Sequence, residues 1–282
     1  MIMNKIRERW FLYNHGVLQN TAPHIPVEST DKVQEILKYM GGAFCRWTSD
    51  FDCGKETKWW YCIRDEKVEL ANFSTKQRYR INHGSKNCEV TLLEPEEVEK
   101  SVGDLFNVQV EAFKEYPEKY RPRTDKSSFH NYIMNWTKSA DIWLVRDKNS
   151  SLVCGYAICK PQDEMVHLTV VKVIPQYLKN DVNAILAFEI CKYYLNERNL
   201  KYVCDGERNI RHETNYQNFL VKNLNFRYAY CQLHIVYRPV VKFAIFILFP
   251  FRKLLKRLAK TQPFIYNVYC MLKQEEIAKT FR

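Results

Sequence analysis

Met165-Val166-His167-Leu168-Thr169-Val170-Val171-Lys172-Val173-Ile174-Pro175-Gln176-Tyr177 is the stretch that decides the fold. The run up to Ile174 is rich in β-branched residues, as a central strand prefers. Pro175 ends it, because proline has no N–H to give to a ladder. Residues 181–198 then read as a helix. Upstream, residues 142–146 and 152–160 read as two more strands, with turns at 147–150 and 161–164. Before them, residues 89–93 alternate like a strand. Residues 96–115 follow as a helix, with Val98, Val102, Leu105, Phe106, Val108 and Phe113 at helical spacing. Thr124 caps a further helix over 125–138. Downstream come a short strand at 201–204, a helix at 214–223 and a long strand at 226–237. The order is β-α-α-β-β-β-α-β-α-β, a mixed-sheet α/β domain over residues 88–238.

The flanks read as smaller pieces. Residues 1–87 form a reduced N-terminal α/β subdomain. Ser29 or Thr30 caps a helix to Met40, ended by Gly41-Gly42. Strands are expected at 43–48, 59–64 and 68–73, with Asp65-Glu66 as a hairpin turn. Ser74 and Gln77 make a capping box, which predicts a helix over 75–83 stopped by Gly84. Residues 239–282 form a basic helical tail. Its uninterrupted apolar run, 243–251, is far shorter than the roughly 20 residues that span a bilayer. Pro250 kinks it. Beyond the kink Leu254, Leu255 and Leu258 share a face beside Arg252, Lys253, Lys256, Arg257 and Lys260. That pattern suits an anionic membrane surface, the preferred reading; a helix packed on the domain, or an oligomer contact, is the alternative.

Hydrophobic residues make up 46% of the 282 and aromatics 14%, which is ample for a core and excludes global disorder. The net charge of +11 favours anionic partners: a phosphorylated or lipid-linked substrate, tRNA or an acidic membrane. The N-terminus carries charges and a Trp and no apolar signal-peptide core, so a cytoplasmic chain, peripheral on the inner membrane face, is expected. The ten cysteines are then expected as thiols. None forms a Cys-x-x-Cys pair. Cys45, Cys53, Cys62 and Cys88, with His83 nearby, leave a zinc site open, but buried thiols are the expected reading and no metal site is assigned.

The element order, together with Val173-Ile174-Pro175-Gln176-Tyr177 and Leu220-Val221-Lys222-Asn223-Leu224-Asn225-Phe226, resembles the GNAT acyltransferases. The first segment is similar to their Val-x-Pro-x-Tyr turn, the second to their Leu-Tyr-x-Lys-x-Gly-Phe helix end. The resemblance implies an acyl-CoA donor held around Val173, Gln176, Lys179 and Asn180 at the start of the central helix. The phosphate-binding glycines and leading Arg of that loop are absent from residues 178–183, and Asp181 brings a negative charge there. Val221 stands where many members carry an acidic tyrosine. A retained fold with an altered cofactor loop resembles the Fem-type aminoacyltransferases. So does the basic segment Ser74-Thr75-Lys76-Gln77-Arg78-Tyr79-Arg80-Ile81. That resemblance implies an aminoacyl donor, aminoacyl-tRNA included, and a lipid-linked or glycan acceptor. The donor stays unknown between these, and an atypical acetyl-CoA enzyme or a non-catalytic binding protein on the same scaffold are the alternatives.

The densest polar stretch is Asp205-Gly206-Glu207-Arg208-Asn209-Ile210-Arg211-His212-Glu213-Thr214-Asn215. It follows a strand at its C-terminal end, where α/β sheets bind ligands. Acyl transfer needs a base for the nucleophile's proton, and Asp205, Glu207 and His212 are the candidates. Arg208, Arg211 and Asn215, with Lys76, Arg78 and Arg80 on the basic helix, are candidates for holding an anionic substrate. A solvated basic face and a helix-capping loop are the plain alternatives. His167, alone among apolar strand residues, is expected to be a satisfied core group, and Trp59-Trp60-Tyr61 to belong to a core.

Overall fold

The computed structural model describes residues 9–27, 30–116, 121, 124–210, 215–259 and 262–281. In chain order its elements are β1 (Trp10–Tyr13), β2 (Gly16–Gln19), α1 (Thr30–Met40), β3 (Phe44–Ser49), β4 (Trp59–Arg64), α2 (Thr75–Asn87), β5 (Cys88–Leu93), α3 (Pro95–Phe113) and α4 (Lys126–Trp136). There follow β6 (Asp141–Asp147), β7 (Val153–Gln162), β8 (Met165–Val173), α5 (Val182–Cys191), β9 (Tyr202–Glu207), α6 (Asn215–Leu224), β10 (Arg227–Tyr237), α7 (Pro239–Leu248), α8 (Arg252–Leu258) and α9 (Pro263–Ala278). From β5 to β10 the order matches the one the sequence predicts. The chain divides into two compact units: Cys62–Gly206 with Asn215–Arg227, and Met1–Tyr61 with Glu207–Thr214 and Tyr228–Arg282.

In the first of these units β5, β6, β7 and β8 pair antiparallel in sequence order, and β9 joins β8 in parallel. Helices α3 and α4 cover one face. Val98, Val102, Leu105, Val108, Phe129 and Ile133 from the helices meet Ile142, Leu144, Tyr156 and Ile158 from the strands. Burial of this size supplies most of the unit's stability, at roughly 1.5–3 kcal/mol per large apolar side chain. Helix α5 is apolar on every side, and Val182, Ala184, Ile185, Leu186, Ala187, Phe188, Ile190 and Cys191 are all buried. A helix of that kind is a core element.

Two expectations fail in this unit for physical reasons. Gly84 does not stop α2, which continues to Asn87. A Cβ at Gly84 would lie 2.8 Å from both the Asp181 carbonyl oxygen and Ile185 Cβ. The glycine therefore lets α2 pack against the start of α5; it keeps a helical conformation. Residues 68–73 form no strand either. Leu70–Asn72 make a single 3-10 turn, and Val68 is fixed by Asn196, whose amide oxygen accepts from the Val68 N–H at 2.8 Å and whose amide donates to the Val68 carbonyl at 2.8 Å. Asp65-Glu66 consequently closes no hairpin.

In the other unit β1 and β2 form a hairpin, β2 runs parallel to β3, and β3 pairs antiparallel with β10. Helix α1 lays Val33, Ile36 and Leu37 on Trp10, Val17, Cys45 and Trp47. A second cluster joins Trp59, Cys231, Leu233 and Ile235 to Ile277 and Ala278 of α9. The tail breaks at Pro250, where a 3-10 turn over Phe249–Phe251 separates α7 from α8. Among the described residues no helix is long and apolar enough to cross a membrane.

Candidate functional site

β8 and β9 pair at Met165–Tyr202, Val166–Val203 and His167–Cys204. No pair between them is formed beyond that point, although β8 runs on to Val173 and β9 to Glu207. The strands fork, and Asp205 and Gly206 are the first residues past the fork on β9. Gly206 has φ +92°, and a Cβ there would come within 3.2 Å of His167 Nε2. Glycine is thus required twice, by its backbone and by the imidazole beside it. Its N–H points to Cys204 Sγ at 3.2 Å.

Helix α6 contributes from the other side. Gln217 donates its amide to the Gly206 carbonyl at 3.4 Å and hydrogen-bonds the Asp205 carboxylate. Burial pushes Asp205 up to about 7, against the smaller lowering effect of Gln217. His167 moves the opposite way, down to about 4, through burial and then the Lys160 charge. Its Nδ1 lies 3.2 Å from Thr169 Oγ1. At neutral pH the imidazole is uncharged and the carboxyl is divided between its two forms. The Tyr216 hydroxyl is buried without a hydrogen-bond partner among the described residues. Burial, and then the charge on Asp205, hold that phenol well above its usual range.

The remaining candidates occupy other surroundings. Glu207 is ion-paired to Arg46, whose second nitrogen donates to Gln274 Oε1 at 2.8 Å while the guanidinium lies over the Trp59 ring. Arg208 donates to the Lys58 carbonyl at 2.7 Å and stacks 4.5 Å over Trp60. Asn215 is exposed at the first turn of α6. Arg211 and His212 lie outside the described residues. On α2, Arg78 donates to the Phe73 carbonyl at 2.8 Å, and Arg80 is paired to Asp181 at 3.0 Å. Lys76 is exposed and makes no ion pair among the described residues.

The start of α5 differs from an open phosphate cradle. Val173 ends β8, and Gln176, Lys179 and Asn180 belong to a 3-10 segment, Pro175–Asn180, that stops at Asp181 with φ 52°. Gln176 and Lys179 are exposed, and Asn180 donates to Asp147 Oδ2 at 3.2 Å. The Asp181 carbonyl accepts from the Ala184 and Ile185 N–H groups, and its carboxylate takes Arg80 and His83, each at 3.0 Å. With Gly84 against the same turn, α2 occupies the approach that a pyrophosphate would need.

All ten cysteines are free thiols, and among the described residues no group of three or more His, Cys, Asp or Glu could hold a metal ion. Burial pushes Cys45 up to about 12, which fits an inert core thiol. The sequence reading takes His167 for a satisfied core group, in keeping with its burial and its contact to Thr169, and does not single out Tyr216. Tyr216 looks like one more helix residue until its hydroxyl is seen to be buried and unpaired.

No protein-family model matches the sequence, and no curated protein matches it significantly. Solved structures do match. The C-terminal domain of a putative lysylphosphatidylglycerol synthetase from Agrobacterium fabrum superimposes with a TM-score of 0.56 at 10% identity, over 84% of this chain and 82% of that one. L-PGS from Bacillus licheniformis gives 0.52 at 10% identity, over 85% and 83%. FemX gives 0.47 at 10% identity, over 71% and 73%. With the element order from β5 to β10, the two likenesses with TM-scores above 0.5 show the fold: a mixed α/β sheet shared with those two structures.

Proposed function

We propose that the protein is an acyltransferase that moves an acyl or aminoacyl group to an amine or hydroxyl of a glycan or lipid-linked precursor, with the β8–β9 fork as its reaction centre. One observation carries the reading: Asp205, the first residue past the last β8–β9 pair, has a buried carboxyl with a pKa near 7 that Gln217 hydrogen-bonds. A base poised at the working pH combines the required ionisation with the strongest pull on a proton. The ionised Asp205 takes the proton of the acceptor N–H or O–H as its lone pair attacks the acyl carbon. The bond from that carbon to the carrier then breaks, and the departing atom is protonated. The proton that Asp205 has accepted is the one it returns to that atom, and Gln217 orients the carboxylate.

An aminoacyl carrier is favoured over acetyl-CoA, because α2 and the Asp181 carboxylate fill the start of α5. Of the two proteins with TM-scores above 0.5, the one from Agrobacterium fabrum is a putative lysylphosphatidylglycerol synthetase, a name that denotes an aminoacylated lipid. The candidate partners are therefore an anionic or lipid-linked acceptor and an aminoacyl-tRNA donor, met at the face of a membrane. Lys76 is the cation of α2 best placed to meet an anionic group. The test incubates the purified chain and bacterial membrane lipid with tRNA charged with radiolabelled amino acids or with radiolabelled acetyl-CoA. Label passing from tRNA to extractable lipid supports the reading. Label passing only from acetyl-CoA replaces the donor, and no transfer from either removes the activity.

A further inference from the structure

The tail carries a surface that the acyl chemistry does not use. Helix α7 is held by one narrow side, where Ile245 is buried. Its opposite side is apolar and open to solvent: Val240 is 81% exposed, Phe243 66% and Phe246 77%, and Ile247 is also exposed. At 100° per residue these four fall within an arc of about 120°. Past the Pro250 turn, Phe251, Leu254 and Leu258 of the next segment are exposed as well. A monomer in water rarely leaves so many large apolar side chains uncovered in one stretch. Ordinary folding logic puts such a face inward, so something outside the chain covers it.

The charges identify what. Residues 239–274 contain no Asp or Glu, and Lys242, Lys253, Lys256 and Arg257 are exposed among the apolar groups. Arg252 is already paired with Glu276. A second copy of this chain would bring cation against cation, with no carboxylate in the segment to answer. A neutral apolar partner would leave the cations unused. An anionic bilayer meets both halves, because phenylalanines reach the acyl boundary while lysines and Arg257 remain among the headgroups.

We infer that α7 and α8 form a docking surface for an anionic membrane, with Phe243 and Phe246 as the inserted side chains and Lys253, Lys256 and Arg257 as the headgroup contacts. The inserted wedge is mainly α7. The sequence pattern alone points to the segment beyond the kink. Docking of this kind is peripheral, since neither helix spans. It does not depend on the proposed acyl transfer, and flotation reads it without any substrate.

The experiment floats the full chain with phosphatidylcholine vesicles, with and without about 30% phosphatidylglycerol. Wild type is expected to float with the anionic vesicles at least tenfold better than with the neutral ones, and 0.5 M salt should remove most of that preference. Phe243→Asp with Phe246→Asp should reduce flotation at least tenfold with an unchanged circular dichroism spectrum, since both side chains are exposed. Lys253→Glu with Lys256→Glu should abolish the preference for anionic lipid. Three results overturn the inference: equal flotation with both vesicle types, wild-type flotation of the double-Asp variant, or no flotation combined with a concentration-dependent dimer that the double-Asp change abolishes.

Discussion

Replacing Asp205 by Asn should stabilise the fold, and by an amount that depends on pH. The carboxyl sits near pKa 7 in the folded chain and near 3.8 when free. A raised carboxyl pKa means that the folded state prefers the protonated form. Below pH 4 both states are protonated and the site exerts no penalty. Between about pH 4 and pH 7 the unfolded chain releases the proton and the folded chain keeps it, so stability falls as pH rises. Above pH 7 the penalty is complete. A difference of about 3 units is about 4 kcal/mol at 1.36 kcal/mol per unit. Asp205 retains part of its surface, so solvent relaxation brings the expected figure to about 2–4 kcal/mol. At pH 5 it shrinks to about 1 kcal/mol. Asn has the same shape and no charge, so Asp205→Asn recovers what ionisation removes. Thermal melts of both proteins from pH 5 to pH 8.5 measure it, and a gain of about 5–10 °C is expected at pH 8. A gain that does not change with pH, or an Asn variant less stable than wild type at pH 8, would refute the buried-carboxylate reasoning.

Other expectations follow from the packing around α2 and α5. Gly84→Ala should cost about 1–3 kcal/mol in urea unfolding despite alanine's higher helix propensity, because the new Cβ meets the Asp181 backbone at 2.8 Å. Asp181→Ala should cost about 1–3 kcal/mol by the same assay, since it removes the partners of Arg80 and His83 and puts alanine at φ 52°; Asp181→Asn, which tolerates that conformation, should cost less. Calorimetry with acetyl-CoA should show no heat of tight binding, and a micromolar Kd would overturn the account of the α5 start. Gly206→Ala should lower activity more than stability, because its Cβ would press on His167 Nε2 at 3.2 Å, and an active variant would remove the imidazole from the site.

Much of the fold was legible because its strongest signals are periodic. Val98 to Val108 on α3 and the β-branched run of β8 keep their period over enough residues to outweigh local exceptions. Where a single residue decides, the reading fails. The β1–β2 hairpin turns on Asn14-His15, both at positive φ, and His15 hides a turn usually written Asn-Gly. Gly84 looks like a helix stop because its real neighbours, Asp181 and Ile185, lie about a hundred positions away. Residues 68–73 alternate like a strand, but their partner is the Asn196 side chain. The site was half legible. Asp205 stands out as a carboxylate after a strand, whereas the surroundings of His167 and Tyr216 depend on where β8 and β9 part. That parting depends on tertiary packing, and no local pattern encodes it.

The most direct test of the account is the pH dependence of label transfer from charged tRNA to lipid by wild type and by Asp205→Asn. With Asp205 as base, the wild-type rate rises through about pH 7 to a plateau as the carboxyl ionises, and the Asn variant loses roughly two to four orders of magnitude at every pH. An Asn variant within twofold of wild type, or a wild-type profile flat from pH 5.5 to pH 8.5, would contradict the assignment of the β8–β9 fork as the reaction centre.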